Sequence, residues 1–309
     1  MKGGCVIGVD LGGTKLLAGV VDGEAQLHHR TRRVAQGLDQ PALLATTEAA
    51  VREALEASRQ QVSAVGFGIP ALIDPARGVV TFCNHLPLES LAFADVMSER
   101  LGLPCFADND ANVAMLAEHR LGAALGARNA LMLTLGTGIG GGLIVDGEPY
   151  RGSHGAGAEL GHVVVDLDGP ECPGKCPNRG CLEALASGTA LERDASRAFG
   201  RRVSGLEVTE LAHAGDSVAR SVVASVGRAL GAGISGLVNA FDPDVVVVGG
   251  GVIALGELLL APARVEAAAR LAAPVHGVPI VAARFGEEAG LLGAAVLAGE
   301  ALAARAAAA

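Results

Sequence analysis

At 309 residues the chain is longer than one ordinary compact domain, so two domains or lobes are expected. Half of the residues are apolar, yet aromatics make up only 3% and tryptophan is absent, so sizeable cores must be built from Ala, Val, Leu and Ile among 44 glycines. A formal net charge of -9 leaves no basic face to release phosphate counterions, which argues against nucleic acid as the main partner.

Short β-rich runs alternate with amphipathic helical patterns, as in an α/β protein. The first strand, Cys5–Asp10, begins at once and leaves no room for a signal peptide. Further strands are predicted at Leu16–Val21, Val65–Ile69, Val79–Phe82, Leu131–Leu135, Gly142–Val145 and Val245–Val248. Pro41–Gln60 reads as a helix, with Leu44, Thr47, Val51 and Leu55 on one face and Glu and Arg opposite. Ser217–Phe241 reads as a longer helix whose Gly231, Ala232, Gly233, Ser235 and Gly236 suit close packing. The Ala-rich stretch from Glu287 onward is a predicted terminal helix, and no segment looks like a flexible linker. Polar or charged residues break each apolar run before bilayer length, so a cytoplasmic protein without a membrane partner is expected. Cys5, Cys83 and Cys105 lie in apolar surroundings and read as small core residues; the other three cysteines are clustered.

One similarity recurs within the chain. Leu11-Gly-Gly-Thr14 leads by a strand to Val21-Asp-Gly23, and Leu135-Gly-Thr-Gly138 leads by a strand to Val145-Asp-Gly147. Two such units suggest two similar halves, each offering a backbone loop to one ligand; chance resemblance between two Gly-rich hairpins is the competing explanation.

The first of these loops, Asp10-Leu-Gly-Gly-Thr-Lys15, has the parts of a phosphate site. Gly12 and Gly13 let backbone N–H groups approach closely, Thr14 offers a hydroxyl, and Lys15, one of three lysines, a positive charge. Asp10, at the strand end, is placed to hold Mg²⁺. Leu135-Gly-Thr-Gly-Ile-Gly-Gly-Gly142 contains a nominal GxGxxG, but a dinucleotide fingerprint must open a helix, and here Leu143-Ile-Val-Asp-Gly147 continues as a strand. A nucleotide phosphate chain facing Thr137 and Gly138 fits better than NAD. In Asp242-Pro-Asp-Val-Val-Val-Val-Gly-Gly-Gly251 a buried strand runs into a Gly turn and a helical pattern from Ile253. Gly250 and Gly251 there suit a nucleoside lying flat against backbone, or a plain strand-to-helix connection.

His162 is followed by Cys172, Cys176 and Cys181 among Pro, Gly, Lys, Asn and Arg, which is not where buried structural thiols usually lie. Three thiols and an imidazole suit tetrahedral Zn²⁺ with no open position, a structural rather than catalytic metal that would fix the flanking Glu159 and Glu183. Asn109-Asp110 precedes a predicted helix, Ala111–Gly122, and reads either as an N-cap or as a general base for phosphoryl transfer; spacing does not separate the two.

Together these motifs resemble the ROK family, bacterial sugar kinases and related sugar-responsive repressors. Asp10–Lys15 and Leu135–Gly142 are similar to its two phosphate motifs, and the segment from Asp242 through the triple Gly to its adenosine segment. Glu159-Leu-Gly-His162 with Cys172…Cys176…Gly180-Cys-Leu-Glu183 is similar to its paired sugar-and-zinc signature. The family's Cys-x-Cys stands here as Cys-x-x-x-Cys, which changes the loop before Cys176 and keeps the ligand count, and Ala71 replaces a frequent Gly.

The resemblance implies an actin-like, two-lobed α/β ATPase fold of the ribonuclease H type, with the active site in an interlobe cleft. A small lobe would span 1–108, completed by a C-terminal helix at about 290–309, with a large zinc-bearing lobe over 109–289. It implies ATP and Mg²⁺ held by Asp10, Gly12, Gly13, Thr14, Lys15, Thr137, Gly138, Gly250 and Gly251, and a structural Zn²⁺ on His162, Cys172, Cys176 and Cys181. Asp110 would be the catalytic base on the 6-hydroxyl of a hexose. Asn109, Glu159, His162 and Glu183 would bind the sugar, with Asn84 a further contributor, and His162 would serve zinc and sugar through different nitrogens. Asn178–Gly188 and Asp108–Asn112 are most similar to bacterial glucokinases, and a homodimer is common in the family. The expected activity is ATP-dependent glucose phosphorylation. Alternatives are an N-acylhexosamine, mannose or fructose kinase, polyphosphate as donor, and a sugar-sensing repressor, disfavoured because no DNA-binding segment precedes the first strand.

Overall fold

A computed structural model of the chain describes residues 4–74, 77–83, 86–272 and 277–308. The chain forms two compact units, Met1–Leu125 with Pro149–Gly157 and Glu287–Ala309, and Gly126–Glu148 with Ala158–Gly286.

The first unit runs β1 (Cys5–Leu11), β2 (Lys15–Val21), β3 (Leu27–Val34), α1 (Gln40–Ala57), β4 (Val62–Ile69), β5 (Ala71–Asp74), β6 (Val79–Cys83), α2 (Phe93–Leu101), β7 (Cys105–Asn109) and α3 (Asp110–Leu121). Its sheet has the order β3-β2-β1-β4-β7, antiparallel from β3 to β1 and parallel from β1 to β7, and β5 and β6 form a separate pair. The second unit runs β8 (Ala130–Leu135), β9 (Ile139–Val145), β10 (Glu148–Pro149), α4 (Leu182–Ala186), α5 (Gly188–Phe199), α6 (Gly205–Ala214), α7 (Ser217–Phe241), β11 (Val245–Gly249), α8 (Glu257–Ala268) and β12 (Ile280–Ala282). Its sheet order is β10-β9-β8-β11-β12, again an antiparallel hairpin followed by parallel neighbours. The chain then returns to the first unit as α9 (Ala289–Ala308).

The internal similarity is thus a repeated architecture. Leu11 pairs with Leu16 across the first hairpin and Leu135 with Ile139 across the second. Their far ends differ. Asp146 and Gly147 both have positive φ and make a two-residue turn, the preferred hairpin closure. Asp22 instead accepts the N–H groups of Glu24 and Gln26 on one oxygen, opening a longer loop.

Each unit has its own aliphatic core. Ile7, Leu11, Leu16, Ile69 and Phe67 are fully buried in the first, where Phe67 meets Phe93 edge-on at 5.1 Å. Leu131, Leu133, Val246, Val248, Leu230 and Ile234 centre the second. Cys5, Cys83 and Cys105 are buried in the first core as expected, and burial pushes the Cys105 thiol up to about 11.

Small residues set how closely the layers approach. A Cβ on Gly8 of β1 or Gly66 of β4 would overlap the backbone of α9 at Leu291 and Ala294, and one on Gly293 of α9 would overlap the Val113 carbonyl of α3. This packing corrects the expected boundary at residue 108. The helix α3 belongs with the first unit because Val113 fills the space beside Gly68 and lies against α9.

The expectation that every apolar run is broken is also corrected. The helices Ser217–Phe241 and Gly286–Ala307 are long and apolar enough to cross a bilayer by length and composition. Here α7 packs on α8 and α5 within its unit, and α9 packs on α3, β1 and β4. Strand β3 escaped the sequence reading because it alternates around charge, with His28, Arg30 and Arg32 exposed and Thr31 buried, as befits a sheet edge.

The glycine packing has opposite consequences at two positions. Gly66→Ala should lower folding stability by roughly 1–3 kcal/mol through overpacking against α9. Gly236→Ala, exposed on α7 with open space around it, should raise stability by up to about 1 kcal/mol. Thermal unfolding of the two variants beside the parent measures both signs.

Candidate functional site

In the first unit the β1–β2 turn is closed by Gly12 N–H donating to the Lys15 carbonyl at 2.9 Å, which leaves Thr14 exposed at the tip. Lys15 Nζ lies 3.0 Å from Glu287 Oε1. Asp10, the penultimate residue of β1, lies beneath the first turn of α9, where a Cβ on Gly290 would crowd its carboxylate. A helix N-terminus favours a carboxylate, yet the Asp10 carboxyl is pushed up to about 7. Burial is the main cause, and the nearby charges of Asp110 and Glu287 add to it against the opposing pull of Lys15. A carboxyl so raised by burial and like charge fits a cation partner, which would relieve both. Glu287 was read only as the start of the terminal helix and not as a site residue; its carboxyl is held down chiefly by the hydrogen bond from Lys15.

At the β7–α3 junction the capping role read for Asn109-Asp110 falls to Asn109. Asn109 is the N-cap, accepting the N–H groups of Ala111 at 2.9 Å and Asn112 at 3.2 Å on Oδ1, while its Nδ2 donates to the Ala71 carbonyl. Asp110 is the first helical residue, and its Oδ1 also accepts from Ala111 N–H at 2.9 Å. The cap is therefore supplied by the neighbour, and Asp110 is not needed for it. Asp108, just upstream, is buried and paired with Arg151 Nε at 2.6 Å. Asp108 entered the sequence reading only within the Asp108–Asn112 similarity and Arg151 not at all, because the two meet only in the folded chain.

In the second unit the Gly136–Gly138 loop is braced from several sides. Gly136 N–H donates to the Gly138 carbonyl, and the Gly136 carbonyl accepts from Gly188 N–H at the start of α5. Thr189 Oγ1 donates to the Thr137 carbonyl at 2.7 Å, leaving the Thr137 side chain outward. Gly250, at φ 82°, lies where any Cβ would overlap the Leu135 backbone, so the second and third Gly motifs adjoin, with Gly251 opening the next turn. The loop leads into strand β9 rather than a helix, consistent with a phosphate loop and not with a dinucleotide fingerprint. Asp244 has a structural task, its Oδ2 accepting the N–H groups of Arg128 and Asn129 at 2.8 Å each.

His162 ends a short 3₁₀ turn (Leu160–His162), Cys181 caps α4, and Cys172 and Cys176 lie on the turns between. One ligand atom from each of the four lies within 4.8 Å of every other, the one such cluster among the described residues. Cys176 Sγ and Cys181 Sγ are 4.0 Å apart, no disulfide, and close to the roughly 3.8 Å edge of a tetrahedron with 2.3 Å Zn–S bonds. Burial and the neighbouring thiols raise the Cys172 thiol. The altered spacing does not remove Cys172 from the set, since its Sγ is 3.4 Å from His162 Nδ1. The other nitrogen, Nε2, faces Glu159 Oε2 at 3.8 Å.

Glu183 behaves differently from expectation in one respect. Its Oε2 accepts the Ile139 N–H at 2.8 Å and occupies the space where a Cβ on Gly138 would stand, while Oε1 is 4.0 Å from Cys172 Sγ. It therefore links the thiol cluster to the Gly loop. Asn84 lies outside the described residues.

Asp10 generates a pH prediction. Its raised carboxyl keeps a proton that the unfolded chain releases, so its contribution to stability is whole below about pH 4 and is lost as pH rises through 7. In metal-free buffer the melting temperature of the parent should fall relative to Asp10→Asn between pH 5 and pH 8. A difference that stays constant over that range would contradict the burial of this carboxyl.

The chain matches the ROK family model over residues 6–301. It is 36% identical to the glucokinase of Thermotoga maritima over 94% of this chain and 96% of that one. The ROK family glucokinase of Streptomyces griseus, solved in complex with glucose and AMPPNP, superposes with a TM-score of 0.85 at 36% identity, covering 96% of this chain and 100% of that one. The ROK hexokinase of Thermus thermophilus gives 0.82 at 41% identity, with 97% and 99% covered. With the family match spanning both units, this chain belongs to the ROK family and has its actin-like ATPase fold.

Proposed function

We propose that the chain is an ATP-dependent glucokinase, a hexokinase-type phosphotransferase that moves the γ-phosphoryl group of ATP to the 6-hydroxyl of glucose. The observation that carries this reading is similarity over nearly the whole chain to glucokinases, one of them solved with glucose and an ATP analogue.

Phosphoryl transfer needs positioning and charge neutralisation more than covalent chemistry. In the first unit Asp110 accepts the proton of the attacking hydroxyl, and Asn109 orients the sugar beside it. The hairpin loop Gly12–Lys15 takes nucleotide phosphate, with Lys15 exchanging Glu287 for the phosphate oxygens. Asp10 would hold the Mg²⁺, which supplies charge neutralisation when bound. In the second unit Thr137, Gly138, Gly250 and Gly251 bind the nucleotide through backbone. Glu159, His162 and Glu183 bind hexose hydroxyls, and Asn84 adds to them. His162, Cys172, Cys176 and Cys181 would hold a structural Zn²⁺ that stiffens the segment between the two glutamates. The unbridged thiols suit the reducing cytoplasm, and a homodimer is the expected assembly.

A coupled ADP-release screen over glucose, mannose, fructose and the N-acetylhexosamines, with ATP and with polyphosphate as donors, tests the reading. Glucose with ATP should give the highest kcat/KM; a preference for an N-acetylhexosamine would move the chain to the neighbouring activity. Asp110→Asn should keep hexose binding by calorimetry and lose on the order of 10²- to 10⁴-fold in kcat. Near-parental turnover would return Asp110 to a purely structural place in the helix. Metal analysis of the purified protein should find one zinc per chain, lost in Cys181→Ser together with thermal stability.

A further inference from the structure

We propose that Arg151 is a positioning residue for the catalytic turn, acting through Asp108. The inference rests on the kinase reading above, in which Asn109 orients the hexose and Asp110 accepts its proton.

Asp108 is the hub of that turn. Its side chain is 4% exposed, and each oxygen is committed. Oδ1 accepts the N–H of Asn109 at 2.8 Å and Nδ2 of Asn112 at 3.2 Å, so one carboxylate oxygen fixes residues on both sides of Asp110. Oδ2 accepts Arg151 Nε at 2.6 Å. Without a cation on Oδ2, Asp108 would be a buried charge short of a partner, and its side chain would have to turn toward water. That change releases the Asn109 N–H and lets the first turn of α3 shift. The guanidinium therefore holds the turn's geometry from below, without a place in the chemistry itself.

Arg151 is itself held. Its carbonyl accepts the Gly157 N–H at 2.9 Å, closing the segment Pro149–Gly157 into a tight loop of the first unit. Gly155, at φ 72°, lies against the Ile73 carbonyl of β5, where a Cβ would overlap it. The same strand accepts Asn109 Nδ2 through the Ala71 carbonyl. Strand β5, the Arg151 loop and the Asp108–Asn112 turn thus brace one another. An exposed ion pair would contribute little; this one is largely desolvated and has one fixed geometry.

The simpler alternative is that the pair merely staples the loop to its unit. Kinetics separate the two. Arg151→Met, Arg151→Lys and the double variant Asp108→Asn/Arg151→Met are purified, their folded fraction is measured by circular dichroism, and glucose and ATP are varied in turn. Arg151→Met should lose on the order of 10²-fold in kcat per folded molecule, as expected for a misplacement of about 1 Å, while KM for ATP stays within about twofold. Arg151→Lys should recover about tenfold of that loss by restoring the charge. The double variant strands no buried charge and should fold like the parent, yet its kcat should remain about tenfold or more below it. Parental kcat per folded molecule in Arg151→Met or in the double variant would overturn the inference, as would a rise of KM for ATP in step with that for glucose. A parent enzyme that does not phosphorylate glucose at all would instead sink the kinase reading, and the role of Arg151 with it.

Discussion

Backbone approaching backbone more closely than a Cβ permits is the constraint on which this molecule rests. Strands β1 and β4 meet α9 through Gly8 and Gly66, and α9 meets α3 through Gly293. The same device recurs at the proposed nucleotide loops. Gly250 admits the end of β8, and Gly138 leaves room for the Glu183 carboxylate. A chain poor in aromatics has few bulky side chains with which to wedge its layers apart or lock them together. It gains its contacts by bringing main chain and small side chains to dispersion distance over long stretches.

On that rigid base, charge is handled in two ways. Near the β1–β2 turn, Asp10 feels the like charges of Asp110 and Glu287 against the pull of Lys15, and burial leaves it inclined to keep its proton. Under the proposed function this region takes a cation and phosphate together, which would offset its like charges. At the β7–α3 turn the opposite holds, since Asp108 is fully compensated by N–H donors and one guanidinium. The first arrangement is poised for exchange of partners, and the second is closed to it. Glu183 stands between these extremes, bonded to Ile139 N–H on one oxygen and near a thiol on the other.

Much of this was legible in the sequence where the signal is local. The His162–Cys181 cluster declares itself because thiols among turn residues have no core to fill, and the hairpin after Gly138 excludes a dinucleotide fold by its continuation as a strand. The limits of Ser217–Phe241 follow from Asp216 capping its start and the Asp242-Pro pair ending it. Signals that depend on distant partners were not legible. Lys15 meets Glu287 and Asp108 meets Arg151 only after the chain has folded. The place of α3 in the first unit depends on Val113 meeting Gly68 and Gly293, which no periodicity announces. Strand β3 was hidden because an edge strand spends its exposed positions on charge.

The return of α9 to the first unit has a bearing on how the chain reaches its native state. The second unit is nearly continuous, interrupted only by Pro149–Gly157, whereas the first is sewn from both ends of the chain. Its sheet presents Gly8 and Gly66 to a helix synthesised after the second unit. During translation the N-terminal sheet must wait, with one face uncovered, while the second unit emerges and folds. Long loop closure then makes docking of α9 the late step, so the N-terminal strands are the segment most exposed to mispairing and to chaperones.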